Sequence, residues 1–146
     1  MRYSSYKYLK HLLPAIGILS FSLLNAQEKK DIVPNKSEVN KLLEGKTDWE
    51  QRHIYDSLSA RYVNNDVKFS LDCSNKAVEI ALMLGIDSTK GFAYSNRAKA
   101  YKTLGENKKA KADLEMAEVI FQKIHNRPWL TSVYLDRGNL SYLEGE

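Results

Sequence analysis

The stretch YSNRAKAYKTLGENKKAKADLEMAEVIF, residues 94–121, decides the fold of this chain. The triplet Gly-Glu-Asn at 105–107 divides it and has the composition of a tight turn. After the turn, apolar residues recur at steps of four, three and four, as on one stripe of an α-helix: Ala110, Leu114, Ala117 and Phe121. The stretch therefore predicts two helices joined by a short turn.

The same pattern extends along the chain from residue 48. An earlier stripe has the same helical spacing, at Phe69, Cys73, Ala77, Ile80 and Leu84. Turn signals recur at residues 64–66, 85–87, 105–107 and 126–128. Strict alternation of polar and apolar residues, the strand signal, is absent over any comparable stretch. We therefore predict an all-α fold, with five helices of about 17 residues each between residues 48 and 146.

A shift of 40 residues lays the chain on itself. Turn positions coincide at Asn65, Gly105 and Gly145. Helix positions coincide in the same register, in the pairs Ala77 with Ala117, Ile80 with Ile120, Tyr94 with Tyr134, and Arg97 with Arg137. A repeat of helical hairpins accounts for matches that fall on helices and turns alike.

Residues 94–117 resemble the tetratricopeptide repeat. The repeat has an aromatic residue, a small residue, a tyrosine three places on, a glycine turn, and alanine, a bulky residue and alanine on the second helix. The corresponding residues here are Tyr94, Ala98, Tyr101, Gly105, Ala110, Leu114 and Ala117. Arg97 and Arg137 stand where the common pattern has leucine. The resemblance implies antiparallel hairpins stacked as a short right-handed α-solenoid of about two and a half units over residues 47–146. The spacing of 40 residues, against about 34 in the standard unit, implies longer helices.

The N-terminus has the composition of a secretory signal peptide. Residues 1–26 carry Arg2, Lys7 and Lys10, contain no acidic residue, and are apolar from Leu12 to Leu24. That run of 13 residues is shorter than the roughly 20 needed to span a membrane, although an uncleaved anchor is the alternative. We predict cleavage after about residue 26, a periplasmic or secreted product, and no stable membrane insertion after cleavage.

Residues 27–46 are polar and include Pro34. They predict a flexible lead with one short helix near 37–44. Thr47 and Glu50 stand three residues apart and can form a capping box, in which each side chain accepts a hydrogen bond from the other residue's backbone amide. Helical repeats are therefore expected to begin at residue 47.

Charge argues against a nucleic-acid partner. The chain has 22 basic and 18 acidic residues, and removing residues 1–26 subtracts three basic and no acidic ones, which leaves 19 against 18. A nucleic-acid binder would be expected to keep a basic field. The cluster Lys108, Lys109 and Lys111 has no aromatic residue among its lysines and is interpreted as a solvated helix face.

The sequence carries no signature of catalysis. It has no glycine-rich phosphate loop, no serine elbow and no pair of histidines at metal-ligand spacing. An enzyme would need a cleft that brings His53, His125 or Cys73 beside carboxylates, whereas packing or surface roles are the simpler interpretation. Cys73, the only cysteine, lies on an apolar stripe and is predicted to be core. We predict no enzyme activity, no metal and no cofactor.

The resemblance implies a protein-protein interaction module. In arrays of this kind the first helix of each pair lines a concave side, here the predicted helices 48–64, 88–104 and 128–143. The implied peptide-binding groove consists of Tyr55, Ser59, Tyr62, Ser95, Lys99, Lys102, Leu135, Asn139 and Tyr142. Tyrosine offers contact area, and lysine and asparagine can bind carboxylate or backbone groups of a peptide. Ordinary solvated helix residues are the alternative interpretation.

The last helix has no partner helix after it in this sequence. Arrays of this kind end in a modified repeat that covers the final apolar face, so Val133, Leu140 and Leu143 are expected to be partly uncovered. Such a surface would permit self-association through the open C-terminal end. The second functional hypothesis is an N-terminal sensor array of a longer tetratricopeptide signalling protein, of the histidine kinase or transcription regulator type.

Overall fold

The computed structural model describes residues 32–145, and no strand occurs in that range. Its six helices are α1 Lys36–Leu43, α2 Asp48–Tyr62, α3 Val67–Leu84, α4 Asp87–Thr103, α5 Asn107–Lys123 and α6 Arg127–Glu144. The predicted all-α class is confirmed. The signal peptide predicted over residues 1–26 lies outside the described residues.

Side chains cap the N-termini of the first two helices, α1 and α2. Before α2, the Glu50 amide donates to Thr47 Oγ1 at 3.4 Å and the Thr47 amide donates to Glu50 Oε2 at 2.9 Å. These two bonds satisfy amides that have no partner within the helix, so the predicted capping box is confirmed. Asn35 and Glu38 form an equivalent box before α1, the helix predicted near 37–44.

Helix ends repeat at the 40-residue offset. Gly105 and Gly145 end α4 and α6 with φ of 74° and 76°. Gly85 ends α3 with φ of 72°, and 40 residues later His125 follows α5 with φ of 52°. His125 is thus a side-chain-bearing residue in a left-handed conformation that glycine adopts without steric cost.

Each helix from α2 to α5 packs against the next one along the chain, and α4 also contacts both α2 and α6. Cys73, on α3, is 3% exposed, as predicted for a core residue. The largest core cluster joins α4, α5 and α6 through Ala98, Ala110, Leu114, Ala117, Phe121, Val133 and Leu140. Small residues in this cluster allow close approach of the helices, and the larger side chains fill the remaining space.

The expectation of an uncovered final apolar face is wrong for two of its three residues. Val133 is fully buried and Leu140 is 2% exposed, because these residues, seven positions apart on α6, pack into the cluster formed with α4 and α5. Leu143 is 64% exposed, as expected. A step of seven residues along a helix returns to nearly the same face, so contact with α5 can cover both Val133 and Leu140.

Arg97 occupies the position where the tetratricopeptide pattern has leucine. It makes a bidentate ion pair that crosses the turn at residues 105–107, between α4 and α5. Its Nε and Nη2 donate to the two carboxylate oxygens of Asp113 on α5 at 2.7 and 2.8 Å. The guanidinium carbon also lies 5.6 Å from the ring centres of Tyr94 and Tyr101. Asp113 is buried, and its hydrogen bonds raise the pKa of Arg97. The pair therefore ties α4 to α5 with fixed geometry.

Gly91 is a position of close approach between α4 and α5. A Cβ atom at this position would lie 2.8 Å from both Cε1 and Cζ of Phe121. Phe121 is fully buried and its ring packs against Phe92, so it has little room to move. Gly138 on α6, by contrast, has no atom within 4 Å of its Cβ direction.

Substituting each helical glycine by alanine should therefore give opposite results. Gly91→Ala should lower the free energy of unfolding by about 1–2 kcal/mol, because overpacking against Phe121 outweighs the gain in helix propensity. Gly138→Ala, its matched control, should raise it by about 0.5–1 kcal/mol. Urea denaturation followed by circular dichroism measures both. A stabilised Gly91→Ala variant would contradict the close contact.

His125→Gly should raise the free energy of unfolding by about 0.5–1 kcal/mol, because glycine removes the strain of the left-handed conformation. Gly85→Ala, at the equivalent position after α3, should lower it by about 1 kcal/mol. Thermal and urea unfolding of both variants test this pair. Destabilisation by His125→Gly would mean that the imidazole makes a contribution larger than its backbone strain.

Candidate binding cleft

An open cleft of about 480 Å³ lies where α2, α4 and α6 meet, near their N-terminal halves. Its lining residues are Trp49, Arg52, His53, Asp56, Ser88, Thr89, Phe92, Asn96 and Trp129. Several of them are equivalent under the 40-residue shift: position 49 with 89 and 129, position 52 with 92, and position 56 with 96. The repeat therefore places corresponding turns of the three helices around one cavity.

Aromatic side chains form the walls. Trp49 and Trp129 are the only tryptophans in the chain, and they are 52% and 38% exposed. Phe92 and Trp129 meet edge to face with ring centres 4.4 Å apart. Trp49 packs against the imidazole of His53 with ring centres 4.0 Å apart. Exposed tryptophan beside a concavity offers a large contact area with a polar N–H, a combination common at binding hot spots.

A hydrogen-bonded network forms the polar floor. Arg52, only 3% exposed, donates through Nη1 to the carboxylate of Asp56 on the same helix. Its Nη2 donates to His53 Nε2 at 2.7 Å. Asn96 on α4 donates through Nδ2 to Asp56 Oδ1 at 3.1 Å, so the network joins two helices. These bonds fix the orientation of the polar groups before any ligand arrives.

Burial and charge shift the pKa values of two groups in this network. Burial raises the pKa of Asp56, although the hydrogen bond from Asn96 and the charge of Arg52 oppose the shift. Burial, followed by the positive charge of Arg52, lowers the pKa of His53. Because arginine can only donate, His53 Nε2 must accept, and the neutral ring carries its proton on Nδ1. The floor therefore combines one Arg–Asp pair with a neutral imidazole near neutral pH.

A second polar group joins α4 to α6. Asp136 on α6 lies between the ammonium groups of Lys102 and Lys99 on α4, at 3.6 and 3.9 Å. Asp136 is at the position equivalent to Asp56 and Asn96 under the 40-residue shift. Both distances exceed those of a direct hydrogen bond. Two positive charges thus share one carboxylate.

The nine groove residues predicted from the resemblance do not form one surface. Three of them are buried: Ser59 bonds Ser70 on α3 at 3.1 Å, Tyr62 packs on Phe69 of α3, and Ser95 is 1% exposed. For these three the expected exposure to a ligand is wrong. The side chains of Ser59 and Tyr62 contact α3, the second helix of the same hairpin, and Ser95 is enclosed in the interior, so none of the three is open to a ligand.

The other six predicted residues are at least partly accessible. Tyr55 is half-buried on α2, and burial together with the nearby Cys73 and Glu79 on α3 raises its pKa. Lys99 and Lys102 are half-buried beside Asp136. Leu135, Asn139 and Tyr142 are exposed along α6. Of these six residues, only the two lysines take part in the polar group around Asp136.

The main cleft residues, including both tryptophans, Arg52, Asp56, Phe92 and Asn96, were missed by the sequence prediction. A signal for them exists in the same 40-residue shift, because Trp49 and Trp129 differ by two periods and Asp56, Asn96 and Asp136 by one. Polar residues at equal positions of successive first helices can meet only if those helices lie side by side, as α2 and α4 do.

Burial raises the pKa of the Cys73 thiol to about 12. Between residues 32 and 145 no cluster of three or more His, Cys, Asp or Glu side chains could hold a metal ion. None of the helices described is both long and apolar enough to cross a membrane.

Comparisons of the chain with protein-family models, with curated proteins and with solved structures found no match.

The pKa of His53, measured by NMR titration of its ring protons, should lie below the ordinary value of about 6.5. The folded state then binds a proton less readily than the unfolded state, so this group lowers stability as the pH falls from above 6.5 toward the folded pKa. In Arg52→Met the pKa should rise, because the adjacent positive charge is gone and Asp56 remains. The His53→Asn spectrum assigns the resonance. A pKa at or above 6.5 in the unaltered protein would contradict the contact with Arg52.

Proposed function

We propose that this protein is an interaction module that binds a peptide or protein segment in the cleft between α2, α4 and α6. The observation that carries the proposal is the pair of accessible tryptophans, Trp49 and Trp129, beside a pre-formed cavity of about 480 Å³. Aromatic anchors and well-packed pockets contribute most of the binding free energy at interfaces. Fixed polar groups lower the entropic cost of binding, because few side chains need to be ordered.

The proposed architecture is a short right-handed α-solenoid of stacked antiparallel hairpins, of the tetratricopeptide kind. Features at the 40-residue offset support it. Residues 85 and 125 both have a left-handed backbone conformation, and so do residues 105 and 145. A hydrogen bond joins Asp56 to Asn96, which are also 40 residues apart. In such an array the first helices of successive hairpins lie next to each other and line a common surface. The contacts of α4 with α2 and α6 fit that arrangement.

Asn96 gives the cleft a group suited to peptide backbone. Its Nδ2 donates one hydrogen bond to Asp56, and its carbonyl oxygen accepts none from the side chains described between residues 32 and 145. A carboxamide can accept from a peptide N–H and donate its second proton to a peptide C=O. An extended segment could therefore place a side chain between the tryptophans while its backbone bonds Asn96.

The proposed location is the periplasm or the exterior of the cell. This part of the proposal depends on the N-terminal sequence, with its basic residues, short apolar run and small residue at Ala26. Cys73 is the only cysteine, so no internal disulfide can form although that compartment would permit one. The partner would then be a segment that reaches the same compartment.

A displayed library of random 12-residue peptides, selected against the protein, tests the proposal. We expect selection of peptides with a large apolar or aromatic residue. Fluorescein-labelled copies, measured by fluorescence anisotropy, should bind Trp49→Ala and Trp129→Ala at least tenfold more weakly, because each variant removes one wall of the cleft.

Tyr142→Ala is the matched control, since Tyr142 is 83% exposed on α6 and does not line the cleft. Its affinity should stay within twofold of the unaltered protein. Circular dichroism confirms that each variant is folded. Binding that survives both tryptophan variants and is lost in Tyr142→Ala would assign the site to the outer face of α6 and overturn the proposed cleft.

A further inference from the structure

Next to the cleft, two positive side chains, Lys99 and Lys102, face one negative side chain, Asp136. Lys99 and Lys102 contact the single carboxylate of Asp136, and the salt bridges among residues 32–145 give these two ammonium groups no other partner. The Nζ to oxygen distances of 3.9 and 3.6 Å leave their N–H groups without a short hydrogen bond to Asp136. One net positive charge with available donors therefore remains at this site.

Two other carboxylates, on α2 and α5, have their own partners. Asp56 is bound by Arg52 and Asn96 in the floor of the cleft. Glu118 on α5 is bound by Arg137. Neither is positioned to neutralise the excess charge beside Lys99, whose side chain is 42% exposed. A negatively charged group from a partner could reach it without displacing an existing ion pair.

The distance from the aromatic walls to the lysines fits an extended peptide. Lys99 follows Phe92 by seven positions on α4, and Asp136 follows Trp129 by seven positions on α6. Seven residues of α-helix rise about 10 Å. In the extended polyproline II conformation three residues span about 9 Å, at roughly 3.1 Å each, and complete one turn, so side chains three residues apart point in the same direction. A peptide side chain between the tryptophans and another three residues away would therefore occupy both places.

We propose that the partner is an extended segment with a carboxylate side chain three residues from an aromatic or large apolar anchor. The anchor packs against Trp49 and Trp129, and the carboxylate binds Lys99 and Lys102 beside Asp136. Asp136 itself indicates the chemistry, because it is a carboxylate held by the same two lysines. This inference rests on the proposed function, since it names the partner chemistry for the same cleft.

Two blocked heptapeptides test the proposal. Acetyl-Glu-Ser-Ser-Phe-Ser-Ser-Glu-amide carries a carboxylate three residues from the anchor in either chain direction, and the second peptide has Gln in place of both Glu residues. Neither contains tryptophan, so quenching of the fluorescence of Trp49 and Trp129 reports binding. The Glu peptide should bind about tenfold more tightly than the Gln peptide at low salt, and 0.5 M NaCl should remove most of the difference.

Protein variants locate the effect. The double variant Lys99→Gln/Lys102→Gln should bind the Glu peptide about tenfold more weakly and leave the Gln peptide unchanged. Lys108→Gln/Lys111→Gln, which alters two exposed lysines on α5 outside the cleft, is the matched control and should change neither. Asp136→Asn should strengthen binding of the Glu peptide severalfold, because it removes a negative charge that partly neutralises the two lysines and repels the peptide carboxylate.

The outcomes separate this inference from the function on which it rests. Equal binding of the two peptides, or weaker binding of the Glu peptide to Asp136→Asn, would overturn the carboxylate preference and leave the aromatic cleft in place. Failure of both peptides to bind at millimolar concentration would count against the aromatic anchor, and with it against the proposed function.

Discussion

The side-by-side placement of α2, α4 and α6 is the constraint on which the cleft depends. Because corresponding residues are 40 positions apart, equivalent turns of neighbouring helices lie side by side. The hydrogen bond between Asn96 and Asp56 joins one such pair of positions. The helices between them, α3 and α5, set the distance between successive first helices. For α5, close packing of Phe121 against Gly91 fixes its position on α4. A change in helix length or in this contact would separate the tryptophans from each other and from their polar floor.

The polar floor is costly to fold and useful for binding. A guanidinium that is 3% exposed loses most of its hydration, and the ion pair with Asp56 offsets that cost only when both partners are held in place. The raised pKa of Asp56 has the same origin in burial. Such groups contribute little net stability, yet they hold Asn96 and His53 in defined orientations at the cleft. We interpret the network as preparation of a site, since a core of this size would be at least as stable with apolar residues there.

Sequence reasoning predicted the helices better than the surface they create. Apolar spacing, capping residues and turns are local signals, so the capping box at Thr47 and the ends at Gly85 and Gly105 follow from a few neighbouring residues. Which side of a helix faces a ligand depends on contacts between helices. Ser59 and Ser95 were expected to face a groove, but they are buried, and for Ser59 the cause is a contact with Ser70 on a different helix. The left-handed conformation of His125 had no local signal at all.

The most direct test of the central claim is fluorine NMR of the protein labelled with 5-fluorotryptophan, titrated with a selected peptide. The two tryptophans of the chain both line the cleft, so the spectrum has one signal for each wall. Binding in the cleft predicts that both signals shift with a saturation curve that matches the affinity measured by anisotropy. Saturable binding that moves neither signal would place the partner elsewhere and contradict the account.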